Sequence, residues 1–207
     1  MTHAVHPLRL GDLGRLPRTC VDCERIAPVG ASWVQHTVRV WGQCGWRLDG
    51  GPGAGHPQPE TTRAAILVAP AQYRPHAGPL ASTPLSPDAA VLVSLRIVPE
   101  FRGAGIGRRL VQASAALAIR QGYKGLEAIG TRGQESCCLL SVDWLCSVGF
   151  QVARDHPMTP RLRMDLATTI SWRADLEAAW QRLTELVAPT PPPAPVSRVS
   201  RTHARIG

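Results

Sequence analysis

"VPEFRGAGIGRRL" occupies residues 98–110. Three glycines, three arginines and a proline sit between an apolar run that ends at Val98 and another that begins at Leu110. The entering run, "AAVLVSLRIVP" at 89–99, is rich in β-branched residues with few polar interruptions, the pattern of a central strand covered on both faces. The leaving run, "RRLVQASAALAIRQG" at 108–122, places Leu110, Ser114 and Leu117 at helical spacing, and Gly122 stops it. A strand therefore hands over to a helix through glycines. The first amides of a helix lack internal partners and carry the positive end of its dipole. Gly103, Gly105 and Gly107 remove side chains where those amides would point outward, and Arg102, Arg108 and Arg109 add charge. Such a bend is a socket for phosphate. It lacks both the G-x-G-x-x-G spacing of dinucleotide folds and the Gly-Lys-Ser/Thr ending of nucleotide hydrolases.

Outward from the bend, strands and helices alternate. Residues 6–10 read as a first strand, followed by a turn and brief helix with Asp12 near its start. Residues 32–41 read as a helix, with Ser32 as cap and Trp33, Val34, Val38 and Trp41 on one face. Strands are expected in "CGWRLDGG" (44–51), in "AAILVAPAQY" (64–73) up to Pro70, in "KGLEAIG" (124–130), in "FQVARD" (150–155) and in "RLRMDL" (161–166). "VDWLCSVGF" (142–150) reads as a short helix ending at Gly149. Two Pro/Gly loops lie at 50–60 and 74–87. The expected organisation is a domain over 1–170, an amphipathic helix over 171–187 with a Trp172, Leu176, Trp180, Leu183, Val187 stripe, and a disordered Pro/Arg tail over 188–207. The fold class is α/β in the α+β sense.

Composition narrows function. The net charge of +8 comes almost wholly from arginine, since Lys124 is the sole lysine. That excess favours anionic ligands. The arginines are dispersed and no nucleic-acid motif accompanies them, so nucleic acid is disfavoured as a partner. No run of 18 apolar residues exists, and no charged-then-apolar leader opens the chain, so a cytoplasmic protein with no membrane partner is expected.

The bend closely resembles the acetyl-CoA signature of the GCN5-related N-acetyltransferases, in which Arg/Gln-x-x-Gly-x-Gly/Ala follows the fourth strand. Arg102, Gly103, Ala104, Gly105, Ile106 and Gly107 fill all six positions, Pro99, Glu100 and Phe101 fit the lead-in, and a long helix follows. "WLCSVGFQVARDHP" at 144–157 resembles the family's last helix and its Gly-Phe turn, and "RLRMDL" fits the closing strand. The resemblance spans about residues 6–168. It extends to a bacterial branch with a cysteine pair (here Cys20 and Cys23), a "WGxCG" segment (41–45) and a "HPxxPRLR" ending (156–163).

The resemblance implies a mixed, splayed sheet flanked by helices, with the 171–187 helix as an addition. It implies acetyl-CoA as co-substrate, with pantetheine on main-chain groups near Ile97 and Val98. The pyrophosphate would lie on residues 102–107, with Arg108 beside it. A primary amine, from a small molecule or a peptide, would attack the thioester directly, in a monomer or a homodimer. Such catalysis needs positioning, a base, oxyanion donors and an acid for the thiolate.

Many members place a Tyr acid four residues before the glycine of the Gly-Phe turn. That position is Leu145, which cannot donate, and an Asn often found seven residues further upstream falls at Cys138. A water molecule is then the proton source, or the chain is a non-catalytic acyl-CoA-binding module. For the base, Glu127 on the fifth strand is the candidate if it faces the acceptor desolvated; the alternative is that it turns away and pairs with an arginine. Glu135 and Asp143 are weaker candidates. "CVDC" at 20–23 has zinc-knuckle spacing, with Cys44 and then Cys137 or His36 as further ligands. It also fits a redox pair or space-filling thiols, and no metal is assigned. Cys146 reads as core, and His56, His76 and His156 as solvated loop residues.

Overall fold

A computed structural model describes residues 5–17, 32–49, 62–73, 82–135 and 138–167. The helix expected over 171–187, the tail, the 50–60 loop, most of the 74–87 loop, and Cys20, Cys23, Cys137, His56 and His76 lie outside the described residues.

The strands are β1 (Val5–Pro7), β2 (Gly45–Asp49), β3 (Thr62–Pro70), β4 (Ala89–Ile97), β5 (Gly125–Thr131), β6 (Leu140–Ser141), β7 (Gln151–Arg154) and β8 (Arg161–Asp165). The helices are α1 (Ser32–Trp41), α2 (Ile106–Arg120) and α3 (Val142–Ser147), with a 3-10 segment over Leu10–Arg15. The sheet order is β1-β2-β3-β4-β5-β8-β7, and β6 pairs with β5 off that path. All neighbours are antiparallel except β4–β5 and β5–β6. This is the mixed α+β architecture expected. No described helix is long and apolar enough to cross a membrane.

Both faces of β3 and β4 are covered, which is why their sequences read as near-continuous apolar runs. On one face Ala64, Ile66, Leu92 and Leu95 pack against Leu110, Val111 and Leu117 of α2 and against Leu145 near α3's end. On the other, Ala65, Leu67, Val91 and Val93 pack against Trp33 and Val34 of α1. Phe150 is 2% exposed, and its amide donates to Leu145 O at 3.0 Å, so the Gly-Phe turn both caps α3 and anchors β7. Burial of such a ring stabilises by roughly 1.5–3 kcal/mol.

Some expectations fail. The first strand is shorter, and Leu10 already belongs to the 3-10 turn, whose amide at Arg9 is capped by the Asp12 carboxylate at 2.9 Å. Cys146 is exposed rather than core, because Leu145 takes α3's inward position. His156 is not merely solvated: its Nδ1 accepts from the Met158 and Thr159 amides at 3.2 and 3.0 Å, shaping the turn before β8.

Candidate active site

β4 and β5 are paired only at Ala89–Gly125, Ala90–Leu126 and Val91–Glu127. Beyond that point they diverge. β4 carries a bulge opposite Leu67/Val68, which bends the strand. β5 meanwhile stays with the β8 side: Gly130 N donates to Pro160 O, and Arg132 N to Met158 O. Its other edge takes β6 at Gly130–Leu140 and Thr131–Ser141. The gap thus lies between the end of β4 on one side and β6 with α3 on the other.

A cleft of about 610 Å³ fills this gap and runs onto the start of α2. Its size suits a cofactor site. Ile97, Arg102, Gly103, Gly105, Ile106, Gly107 and Arg108 all line it, which gathers most of the residues singled out in the sequence. Leu95, Phe101, Leu140, Ser141, Trp144, Ser147, Val148 and Glu135 complete the wall. Phe101 and Glu135 were singled out in the sequence; Leu95, Leu140, Ser141, Trp144, Ser147 and Val148 were not, because they come from a bulged strand, a two-residue strand and a short helix with its end, whose approach depends on the splay.

The loop's local structure follows from its glycines. Gly103 (φ 77°) and Gly105 (φ 74°) occupy the left-handed region that other L-residues rarely adopt. Gly105 is the N-cap of α2, and Arg109 N closes the first helical bond onto its carbonyl at 3.2 Å. Ile106, Gly107 and Arg108 therefore supply the unpaired amides of the first turn. The Arg102 amide is not among them, since it donates to Pro99 O at 3.1 Å.

Two expected cofactor contacts need correction. Val98 N donates to Arg63 O at 3.0 Å, and Val98 O accepts from Phe101 N at 3.0 Å, so both of its main-chain groups are committed away from the gap. Main-chain groups alternate between the two edges of a strand. With Val98 turned to β3, Ile97 and Leu95 face the gap instead. The Ile97 carbonyl there takes the Arg102 guanidinium, Nε to O at 3.2 Å. Val98 and Ala104 do not line the cleft. The Arg108 guanidinium reaches Ser147 O at 2.6 Å and ties the start of α2 to the end of α3.

Glu127 is also corrected. It is fully buried, lies outside the cleft lining, and faces the α1 side of the sheet. Its Oε2 accepts from Ser86 N at 3.0 Å and lies 3.8 Å from Arg161, while Oε1 lies 3.6 Å from Arg163. Arg163 also grips Asp88 with two bonds of 3.0 and 3.1 Å; that hydrogen-bonded fork holds the Asp88 carboxyl below its ordinary range. Arg161 donates to Pro84 O, and Arg154 to Thr83 O. The arginines of β7 and β8 thus clamp residues 83–88 onto the sheet, with Glu127 as the counter-charge beneath. Glu127→Gln is expected to destabilise the fold by about 3 kcal/mol, because it strips a buried ion network of its centre. The check is a lowered urea midpoint at unchanged m-value. A variant of parental stability that loses the acidic limb of its pH–rate profile would return Glu127 to the role of base.

Leu145 is fully buried in the helix-side core. Ser141 stands on the cleft, and its Oγ accepts the Trp144 amide at 3.3 Å, leaving its hydroxyl proton to donate. Glu135 and Asp143 line an adjoining recess of about 390 Å³, and Glu135 reaches both cavities. Cys44 is buried, its thiol 3.5 Å from Leu8 O, and burial pushes its pKa up to about 12. It is a protonated filler rather than a thiolate ligand. His36 is exposed and packs against Tyr73 at 5.5 Å. Among the described residues no three His, Cys, Asp or Glu side chains converge as a metal site requires.

Comparison with known proteins bears on this arrangement. Residues 60–136 match the Acetyltransferase (GNAT) family model. No curated protein matches the chain in sequence. Among solved structures, Ard1 from Thermoplasma volcanium is 12% identical, with a TM-score of 0.51, over 80% of this chain and 98% of that one. An acetyltransferase of the GNAT family from Desulfovibrio desulfuricans is 12% identical with a TM-score of 0.53, over 80% and 99%. N-acetylglutamate synthase from Neisseria gonorrhoeae, complexed with coenzyme A and N-acetyl-glutamate, is 14% identical with a TM-score of 0.52, over 80% of this chain and 35% of that one. At such identities the likeness is one of fold. The family match runs from β3 through the glycine bend and beyond β5, over the splay itself, and in that stretch the chain is similar to the acetyltransferase (GNAT) family, whose fold the solved structures share.

Proposed function

We propose that the protein transfers an acetyl group from acetyl-CoA to a primary amine by direct attack. The observation that carries this reading is the glycine bend: unpaired amides of α2's first turn, ringed by Arg102 and Arg108, open onto a cleft that runs along β4 into the splay. The diphosphate binds at the bend. The pantetheine arm lies along β4, on the main-chain edge presented by Leu95 and Ile97, which requires Arg102 to release the Ile97 carbonyl. The thioester then sits between β4 and β6. A neutral amine adds to its carbonyl carbon, the C–S bond breaks with departure of CoA thiolate, and the ammonium proton is lost. Ser141 or a water molecule returns a proton to the sulfur. Glu135 is the carboxylate on the cleft wall placed to accept the ammonium proton.

A non-catalytic acyl-CoA-binding module is the second reading. It is favoured by the burial of Leu145 where many relatives present an acid. Titration calorimetry with CoA, followed by thiol release from acetyl-CoA across a panel of amines, separates the two. Binding with amine-dependent thiol release is expected. Binding without release from any amine would establish the module, and absence of CoA binding would end both readings.

A further inference from the structure

The face of β4 opposite the cofactor cleft carries a feature that acetyl transfer by itself does not use. Arg96 pairs in register with Ala65, and Ser94 with Leu67, so both side chains project onto the α1 side, while Leu95 and Ile97 line the cleft on the other. Arg96 is 2% exposed, and its Nε and Nη2 are buried without a hydrogen-bond partner among the described residues. The Ser94 hydroxyl is fully buried and equally unpartnered. Arg47, Arg161 and Arg163, also partly buried, each meet a carboxylate. A guanidinium cannot shed its proton to escape burial. A charge buried without counter-charge or hydrogen bonds is among the costliest arrangements a fold can hold.

We infer that the acceptor amine carries a carboxylate, which Arg96 receives on the sheet face opposite the cofactor, with the Ser94 hydroxyl as a further donor. The inference rests on the acetyl-transfer reading and names its substrate class. The planar fork of arginine matches a carboxylate with two parallel bonds. CoA's own phosphates are served by the glycine bend on the other face. Past the Val91–Glu127 pair no described strand pairs with the β5 edge of β4, and that unpaired edge is the route the inference assigns between the two faces. An amine held by its carboxylate on Arg96 enters that gap from the side the pantetheine does not occupy. The chain's net charge of +8 also draws anionic molecules.

The test uses the full chain with acetyl-CoA and matched acceptors: L-alanine, β-alanine and L-glutamate, each against its carboxamide. Carboxylates are expected to show a kcat/KM at least tenfold above their carboxamides, and the preferred member tells an α-carboxylate from a distal one. Arg96→Gln should abolish the preference through KM, Arg96→Lys should keep part of it, and CoA affinity should stay unchanged in both. Arg96→Leu should hold or raise the Tm of the ligand-free protein, since it removes an unpaired buried charge. A structural arginine would lower that Tm. A second arm measures the Tm of the CoA complex with each carboxylate added alone, and is independent of turnover. Failure of thiol release with retained carboxylate-dependent stabilisation would sink the transfer reading and leave the Arg96 site standing. Equal use of carboxylates and carboxamides, a preference that survives Arg96→Gln, or a lowered Tm in Arg96→Leu would overturn the inference.

Discussion

Gly105→Val is expected to weaken CoA binding at least tenfold, a loss of about 1.4 kcal/mol or more. Two effects combine. Gly105 holds φ at 74°, a conformation a β-branched residue resists at a cost of roughly 1–2 kcal/mol. A Cβ built there meets no protein atom within 4 Å, so the valine projects into the open space proposed for the diphosphate. Because strain alone could loosen the loop, Gly122→Val is the matched control. Gly122 has φ of 81° and open space around it, but it lies past the far end of α2. The control should lower stability by a similar amount with CoA affinity intact. Calorimetric titration of both variants reads the difference. Parental affinity in Gly105→Val would place the ligand elsewhere.

The second large effect concerns the fold itself. Gly45→Ala is expected to destabilise by at least about 4 kcal/mol, a large part of the roughly 5–15 kcal/mol that holds a domain of this size together. Gly45 opens β2 with φ of 143°, and a Cβ there would stand 1.9 Å from the Ile66 carbonyl oxygen and 2.9 Å from its carbon. Neither atom is a flexible tip, so β2 would have to leave β3. The same junction carries Leu8 N to Gly45 O and Val68 N to Cys44 O, so the displacement would spread to both neighbours. Chemical denaturation followed by circular dichroism measures it. A midpoint shift worth less than 1 kcal/mol would show that the strand accommodates the methyl group. This requirement explains the second glycine of "WGQCG" as a packing constraint, distinct from the phosphate-binding role proposed for Gly105.

The sequence by itself determined the elements and the bend. Local periodicity and punctuation sufficed for α1, which runs from the expected cap Ser32 to Trp41, and for the β4–loop–α2 unit, because strand pattern, glycine turn and helix start are all encoded within 30 residues. What the sequence could not carry was direction across the sheet. Whether Glu127 faces an acceptor or a guanidinium depends on β8, which returns from more than 30 residues away to set Arg163 opposite it. Whether Val98 or Leu95 offers its main chain to the cofactor depends on which edge β3 occupies, and on a bulge that no local pattern announces. The two-residue β6 is too short to have a period, yet it forms a wall of the cleft. Arg96 shows the division most clearly. In the chain it is one arginine among 22 in a basic sequence, and only the paired strands reveal that its Nε and Nη2 are buried without a hydrogen-bond partner among the described residues. Residue type and spacing decide which chemistry is available, whereas burial and pairing are long-range properties that exist only once distant strands have met.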